Sequence, residues 1–385
     1  MKQIYLDNAS TTPVFPEVIE SISKSLESDY GNPSSLHRLG IESEKRINET
    51  IEGISETLHT SSEQVIFTSG GTEANNMAII GLALDRHRRG KHLITSEIEH
   101  PSVLRAFEFL EDQSYDVTYL PVNNDGLISL DSLKEALRDN TILVSIMHVN
   151  NEIGSVQPIE DMGRIIKNAN RNTAFHVDAV QSFGKLDLYP REWHIDLLSA
   201  SGHKIHGPKG VGFLYKKRAV RIKPILFGGD QQDGLRSGTE NIGGIVGLGR
   251  AIEINNQMRK KRPDHLYKLK ELLLEQLKGH LPQAVFNGDV ASTAGHIINI
   301  SFPGLQGEVL LHALEQEGVY VGTGSACSSR DKKSSHVQKA IGIDDRRAQG
   351  SIRISTSYMT EETHIKAFVP ILEKTISRIE RFVRR

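Results

Sequence analysis

The stretch VIFTSGGTEANNMAIIGLAL, Val65 to Leu84, changes character twice within a few residues. VIFT is short, apolar and β-branched, which suits a strand. Ser69, Gly70 and Gly71 break it. NNMAIIGLAL then carries the period of a helix. Further along, HLIT (His92 to Thr95) precedes a helix opening after Pro101, and ILVSIMHV (Ile142 to Val149) precedes IEDMGRIIKNAN. FHVDAV, DLLSAS and VGFLY follow at short intervals. Strands that are apolar throughout, separated by helices, predict a mainly parallel sheet covered by helices on both faces, an α/β domain.

The pattern changes after Ile252. EINNQMRKKRPDHLYKLKELLLEQLKGH, residues 253–280, is one long charged amphipathic segment interrupted at Pro263, expected to bridge two domains. HIINISF, GEVLLHALEQEG, VYVG, SIRIS and a last helix from Thr360 then predict a smaller α+β set. The boundary is placed near residue 256, with a large domain over 13–256 and a small one formed by 1–12 and 257–385. A chain of 385 residues suits two unequal domains.

Composition excludes several classes. Lys and Arg number 46 against 48 Asp and Glu, a net charge of -2, so nothing draws the chain to nucleic acid or an anionic membrane. MKQIYLDNAS meets Asp7 too early for the apolar core of a secretory signal, and no apolar run approaches the ~18 residues of a membrane span. One cysteine, Cys327, forms no internal disulfide. A cytoplasmic protein acting on a small molecule or another protein is expected.

In an open α/β sheet, ligands bind beyond the carboxyl ends of the strands. SGGTEANN follows VIFT, where paired glycines admit a close ligand and Thr72 sits in the first helical turn. Free N–H groups there favour a phosphate, although a capped turn gives the same string. Asp178, within FHVDAV, is expected at the strand's end, with Gln181 three residues later. A carboxylate within an apolar strand needs a partner, either a remote cation or a protonated ligand atom. SGHKIHGPKG, Ser201 to Gly210, follows DLLSAS. Its glycines do not form a phosphate loop, because Pro208 intervenes, and His203 and His206 lack a third metal ligand. Lys204 is either a surface lysine or an amine placed for a Schiff base with an aldehyde cofactor. A phosphate cup, a buried carboxylate and an amine together are the parts that pyridoxal phosphate requires.

SGGTEANN, SEIEHPSV, VSIMHVNNEIG, HVDAVQ, SGHKIHGPKGVGFLY, RSGTEN, GSACSS and GSIRIS together resemble the cysteine desulfurases of the class V aminotransferase group, which are fold type I pyridoxal phosphate enzymes with a seven-stranded large-domain sheet. The likeness runs from Tyr5 through Arg353. It implies that Lys204 binds the cofactor aldehyde, Asp178 pairs with the pyridine nitrogen and Gln181 bonds the phenolic oxygen. Thr72, Ser201 and His203 would hold the phosphate with Gly71 at a backbone contact. His100 would stack on the ring and move protons. Asn151 would lie near cofactor and substrate, and Arg353 would clamp the carboxylate of L-cysteine. Thr239 would reach the phosphate of the neighbouring subunit in a homodimer.

The resemblance also makes Cys327 the sulfur acceptor, carrying a persulfide onward to an iron–sulfur scaffold or a tRNA-thiolating enzyme and touching a cluster only transiently. Asp230 in GGDQQ and Ser355 to Ser357 depart from the family's usual glycines. Rival readings are selenocysteine cleavage, another class V reaction, and a non-catalytic persulfide carrier, which would leave Lys204, Asp178 and Thr72 without purpose.

Overall fold

The computed structural model describes residues 3–60, 64–323 and 335–383. The chain opens with β1 (Ile4–Leu6), α1 (Pro16–Ser28) and α2 (Arg38–Thr57). Alternation then runs through β2 (Gln64–Thr68), α3 (Gly71–Arg86), β3 (His92–Ser96), α4 (Pro101–Asp112), β4 (Asp116–Leu120), α5 (Leu130–Ala136), β5 (Thr141–Met147), α6 (Ile159–Ala169) and β6 (Ala174–Asp178). Strands β7 (Leu197–Ser201) and β8 (Gly212–Lys216) follow, then α7 (Ile242–Lys261) and α8 (His265–His280). The remainder comprises β9 (Val285–Phe286), β10 (Ile297–Ser301), α9 (Gly307–Gln316), β11 (Val319–Val321), α10 (His336–Ala340), α11 (Asp345–Gln349), β12 (Ser351–Ser355) and α12 (Glu362–Val383). None of the described helices is long and apolar enough to cross a membrane.

The large sheet has seven strands in the order β2-β8-β7-β6-β5-β3-β4. Only β8 runs antiparallel to its neighbours, so the expected mainly parallel sheet is what forms. Along β5 every residue is buried, and its side chains divide between two cores. Val144 and Ile146 pack with Phe175, Phe213, Leu248 and Met162 on one face, while Ile142 and Leu143 pack with Met77, Leu82 and Phe107 on the other. Burial on both faces is why the strand reads as an unbroken apolar run.

The parallel arrangement brings Thr68, Ser96, Met147, Asp178 and Ser201 to one edge as the carboxyl ends of β2, β3, β5, β6 and β7. A second core gathers Leu6, Leu273, Ile300, Leu310, Ile354 and Phe368 around a three-stranded sheet, β12-β10-β9, and the parallel pair β1-β11. Ile4 and Leu6 of β1 thus share apolar packing with the last third of the chain.

One expectation is corrected. The segment over 253–280 is two helices and not one, and the first begins at Ile242, inside IGGIVGLG. Pro263 ends it, since proline disfavours helical geometry in the residue before it, and Arg262 sits at φ -136°, ψ 63°. The early start tolerates glycine because α1 and α2 press against it: a Cβ on Gly247 would lie 2.7 Å from Ile22, and one on Gly249 would lie 2.5 Å from Thr50 Oγ1.

Candidate active site

The loop after β1 reaches across the carboxyl edge of the large sheet. Lys204, closing the short turn after β7, donates from Nζ to the carbonyl oxygens of Ala9 at 2.6 Å and Ser10 at 2.7 Å. Gln181 Nε2 donates to the same Ala9 oxygen at 2.9 Å. The His203 carbonyl accepts from the Thr12 amide at 2.9 Å and its hydroxyl at 3.0 Å. Thr11 Oγ1 lies 3.1 Å from His203 Nδ1. Burial, reinforced by Lys204, Lys209 and Lys185, holds the His203 imidazole down at about 4, so the ring is neutral near pH 7.

A cleft of about 360 Å³ opens beside Lys204's turn, lined by Ser69, Gly70, Gly71, Thr72, Ser201 and His203, with Lys209 at its border. Gly70 precedes α3 at φ +152°, a conformation that side chains rarely adopt. The N-terminus of the long helix α3 thus opens onto the cleft, with free N–H groups and the positive end of its dipole. Ser201 Oγ is buried with no hydrogen-bond partner among the described residues. Lys209, which sequence reading did not single out, adds positive charge.

Asp178 is buried, as its strand position demanded. Its hydrogen-bond partners among the described residues are not cations: Oδ1 accepts from the Val180 amide at 2.9 Å and Oδ2 from Asn75 Nδ2 at 2.7 Å. His100 caps α4, accepting at Nδ1 from the Ser102 amide at 3.1 Å, and the Ser102 hydroxyl lies 2.8 Å from the same nitrogen. Burial lowers the His100 pKa; Asp178 opposes this, while Lys204 and His336 add to it. Glu99, just before it, is wholly buried and pushed up to about 8 by burial, accepting at Oε1 from Ser96 Oγ at 2.6 Å and the Met147 amide at 3.0 Å. Asn75, Ser102 and Glu99 stand in motifs already quoted, but their roles come from contacts between β3, β5, β6 and α3.

Arg353, buried in β12, donates to Asp7 Oδ1 at 2.8 Å, to Ser10 Oγ at 2.6 Å and to the Asn151 carbonyl at 2.8 Å. Its Nε has no partner among the described residues. Thr239 lies exposed on the loop before α7 and does not line the cleft. Cys327 lies outside the described residues. Of the residues flanking it, Gly322 bridges Arg353, Ser335 Oγ donates to Glu152 Oε2 at 2.5 Å and His336 bonds the Glu99 carbonyl at 2.9 Å.

Residues 4–368 match the family model described as aminotransferase class-V. The chain belongs to the class V aminotransferase family. Among curated members of that family, it is 42% identical to the cysteine desulfurase IscS of Dictyoglomus turgidum, with 98% of this chain and 95% of the relative covered. It is likewise 42% identical to the putative cysteine desulfurase IscS 1 of Bacillus subtilis, covering 98% of this chain and all of the relative (100%). Among solved structures, a NifS-like protein superposes with a TM-score of 0.91 at 36% identity, covering 98% of this chain and 100% of that one. A structure described as SspA in complex with cysteine gives 0.79 at 36% identity, with 92% and 98% covered.

Class V aminotransferases are pyridoxal phosphate enzymes, and the residues here fit that group. Ser201 Oγ and Gln181 Oε1 are both buried without partners among the described residues. Orphaned polar atoms cost free energy unless a ligand satisfies them. One stands in the cleft suited to a phosphate, the other beside Lys204 and Asp178, where an acceptor suits a phenolic hydroxyl.

Proposed function

We infer that this protein is a pyridoxal-phosphate-dependent cysteine desulfurase, taking sulfur from L-cysteine, leaving L-alanine and loading a persulfide on Cys327. The observation that carries this reading is the convergence of the Lys204 amine, the buried Asp178 carboxylate and the phosphate-suited cleft at one sheet edge. Its chemical content comes from relatives named cysteine desulfurases over nearly the whole chain.

Thr72, Ser201, His203 and the N–H groups opening α3, at Gly71, would hold the phosphate. Asp178 would pair with the pyridine nitrogen, Gln181 with the phenolic oxygen, and Lys204 with the aldehyde. When bound, the cofactor supplies a sink for electrons released at the substrate's Cα. Lys204 would take the Cα proton, and its amine lies against the Ala9 and Ser10 carbonyls. Arg353 offers a guanidinium to the carboxylate of L-cysteine, with Asn151 beside it. His100 would stack on the cofactor ring and move protons.

Atoms balance through the protein's thiol. The Cys327 sulfur forms a bond to the substrate sulfur, the substrate's carbon–sulfur bond breaks, and that carbon takes a proton to become the methyl group of alanine. The acceptor sulfur is oxidised to the persulfide as the substrate carbon is reduced. The persulfide then passes to a sulfur-acceptor protein, an iron–sulfur scaffold or a tRNA-thiolating enzyme. The same reading makes the chain a cytoplasmic homodimer in which Thr239 serves the partner's phosphate, with a large domain over 13–256 and a small one over 1–12 and 257–385.

The test is to follow alanine and sulfide formed from L-cysteine, alongside keto acid. Alanine and sulfide in wild type, with turnover lost in Cys327→Ala, support the reading. Keto acid as the main product, or full turnover in Cys327→Ala, refutes it.

A further inference from the structure

Between Asp178 and His100 lies a continuous run of hydrogen bonds whose direction can be worked out group by group. Asp178 Oδ2 carries no proton as a carboxylate, so it must accept, and the Asn75 group facing it at 2.7 Å is therefore the amide nitrogen. The opposite rotamer of that amide would set oxygen against a carboxylate. The second hydrogen of the same nitrogen goes to Ser102 Oγ at 2.9 Å. Ser102 Oγ thus accepts from Asn75, and its own proton has one other hydrogen-bonded neighbour among the described residues, His100 Nδ1 at 2.8 Å. That nitrogen also accepts the Ser102 amide as the cap of α4. All four groups are buried or nearly so, and Asn75 is 1% exposed.

Resting on the function proposed above, we propose that Asn75 and Ser102 are positioning residues that carry the hydrogen-bond direction set at Asp178 through to His100, fixing its imidazole with Nδ1 bare and the proton on Nε2. The consequence is chemical. Protonating Nδ1 would leave the Ser102 hydroxyl without an acceptor and break the cap, so the relay opposes the imidazolium. Burial acts in the same sense. The neutral ring can then only donate from Nε2. His100 is in this way a hydrogen-bond donor toward the bound cofactor and substrate, and it takes up a second proton only when the relay yields. Of the charged and titratable groups around the ring, Asp178 on β6 favours the imidazolium, while Lys204 after β7 and His336 on α10 disfavour it.

The experiment is nitrogen NMR on the holoenzyme with histidine labelled in the ring, His100 being assigned by the signals lost in His100→Gln. In wild type at neutral pH, Nδ1 is expected to show the far-downfield resonance of an unprotonated nitrogen, with the proton on Nε2. A wild-type ring protonated at Nδ1 overturns the proposal without any variant. Asn75→Asp sets an oxygen against Asp178 Oδ2 that must share a proton with it, and it gives the Ser102 hydroxyl a new acceptor, so the hydroxyl should turn from Nδ1 and Nδ1 should gain a proton. A bare Nδ1 in that variant also overturns it. Ser102→Ala keeps the backbone cap on Nδ1 but removes the hydroxyl, so the ring should take up its second proton at a higher pH than in wild type, whereas Ser102→Thr should restore the wild-type midpoint; an unchanged midpoint in Ser102→Ala counts against the relay. For Ser102→Ala the expected kinetic effect is a kcat about tenfold lower with KM within about twofold, in the range of a disturbed proton-transfer group. Cofactor absorbance in the same samples separates the two readings, because failure to bind pyridoxal phosphate sinks the proposed function and leaves the tautomer result standing.

Discussion

Arg353 Nη2 donates to Asp7 Oδ1 at 2.8 Å, joining groups 346 positions apart in the chain. Its side chain is 3% exposed and that of Asp7 is 21%. The guanidinium proposed to receive the substrate is thus aimed by the loop that also holds Lys204. Lysine cannot reproduce three directed N–H contacts from a point charge. Arg353→Lys should raise KM for L-cysteine by about tenfold or more and lower stability by about 2 kcal/mol, the low side of a broken buried pair because Asp7 is partly solvated. Steady-state kinetics and urea unfolding check both. An unchanged KM would remove Arg353 from the substrate site.

Ser201 Oγ is buried without a partner among the described residues, so removing it should cost the cofactor-free protein almost nothing. With cofactor, the same hydroxyl is expected to bond the phosphate. Ser201→Ala should therefore leave the apoprotein's Tm within about 2 °C and weaken pyridoxal phosphate about tenfold, the equivalent of ~1.4 kcal/mol. Equal affinities in variant and wild type would show that the cleft does not hold the phosphate through this residue.

Glu99 supplies a pH signature. Its folded-state pKa is raised to about 8 by burial, above the 4.5 of an ordinary glutamate, so between these values the folded protein holds a proton that the unfolded chain has released. Its contribution is present in full below about 4.5 and is lost as pH rises toward 8. Glu99→Gln keeps an acceptor for Ser96 and Met147 but cannot ionise. Relative to wild type, the variant should gain about 1.4 kcal/mol per pH unit across that window. Paired urea titrations from acid to mildly alkaline pH measure the difference, and a constant gap would mean that Glu99 is ionised in the fold.

Much of this architecture is legible in one dimension, for physical reasons that also mark where legibility stops. Strands β5, β6 and β7 are buried on both faces, so their composition announces them. Edge strand β4, DVTYL, is mostly half-exposed and carries no such run. The start of α7 hides in glycines that only the neighbouring helices explain. Lys204, Asp178, Ser201 and His203 gather where a strand-end rule puts them, and Gln181 with them. Asn75 left a trace, as a polar residue on α3's buried face between Ala74 and Met77. The partnership of Asp7 with Arg353, and the lodging of Lys204 on Ala9 and Ser10, leave none, because each joins opposite regions of the chain.

The central claim is that Lys204 and Cys327 together move one sulfur atom from L-cysteine to the protein. Mass spectrometry of the peptide holding Cys327, after incubation of the holoenzyme with L-cysteine, tests it most directly. Wild type should gain the mass of one sulfur, released by a reducing agent, and Lys204→Ala should gain none. A Cys327 peptide of unchanged mass in wild type, or the same added sulfur in Lys204→Ala, would contradict the account.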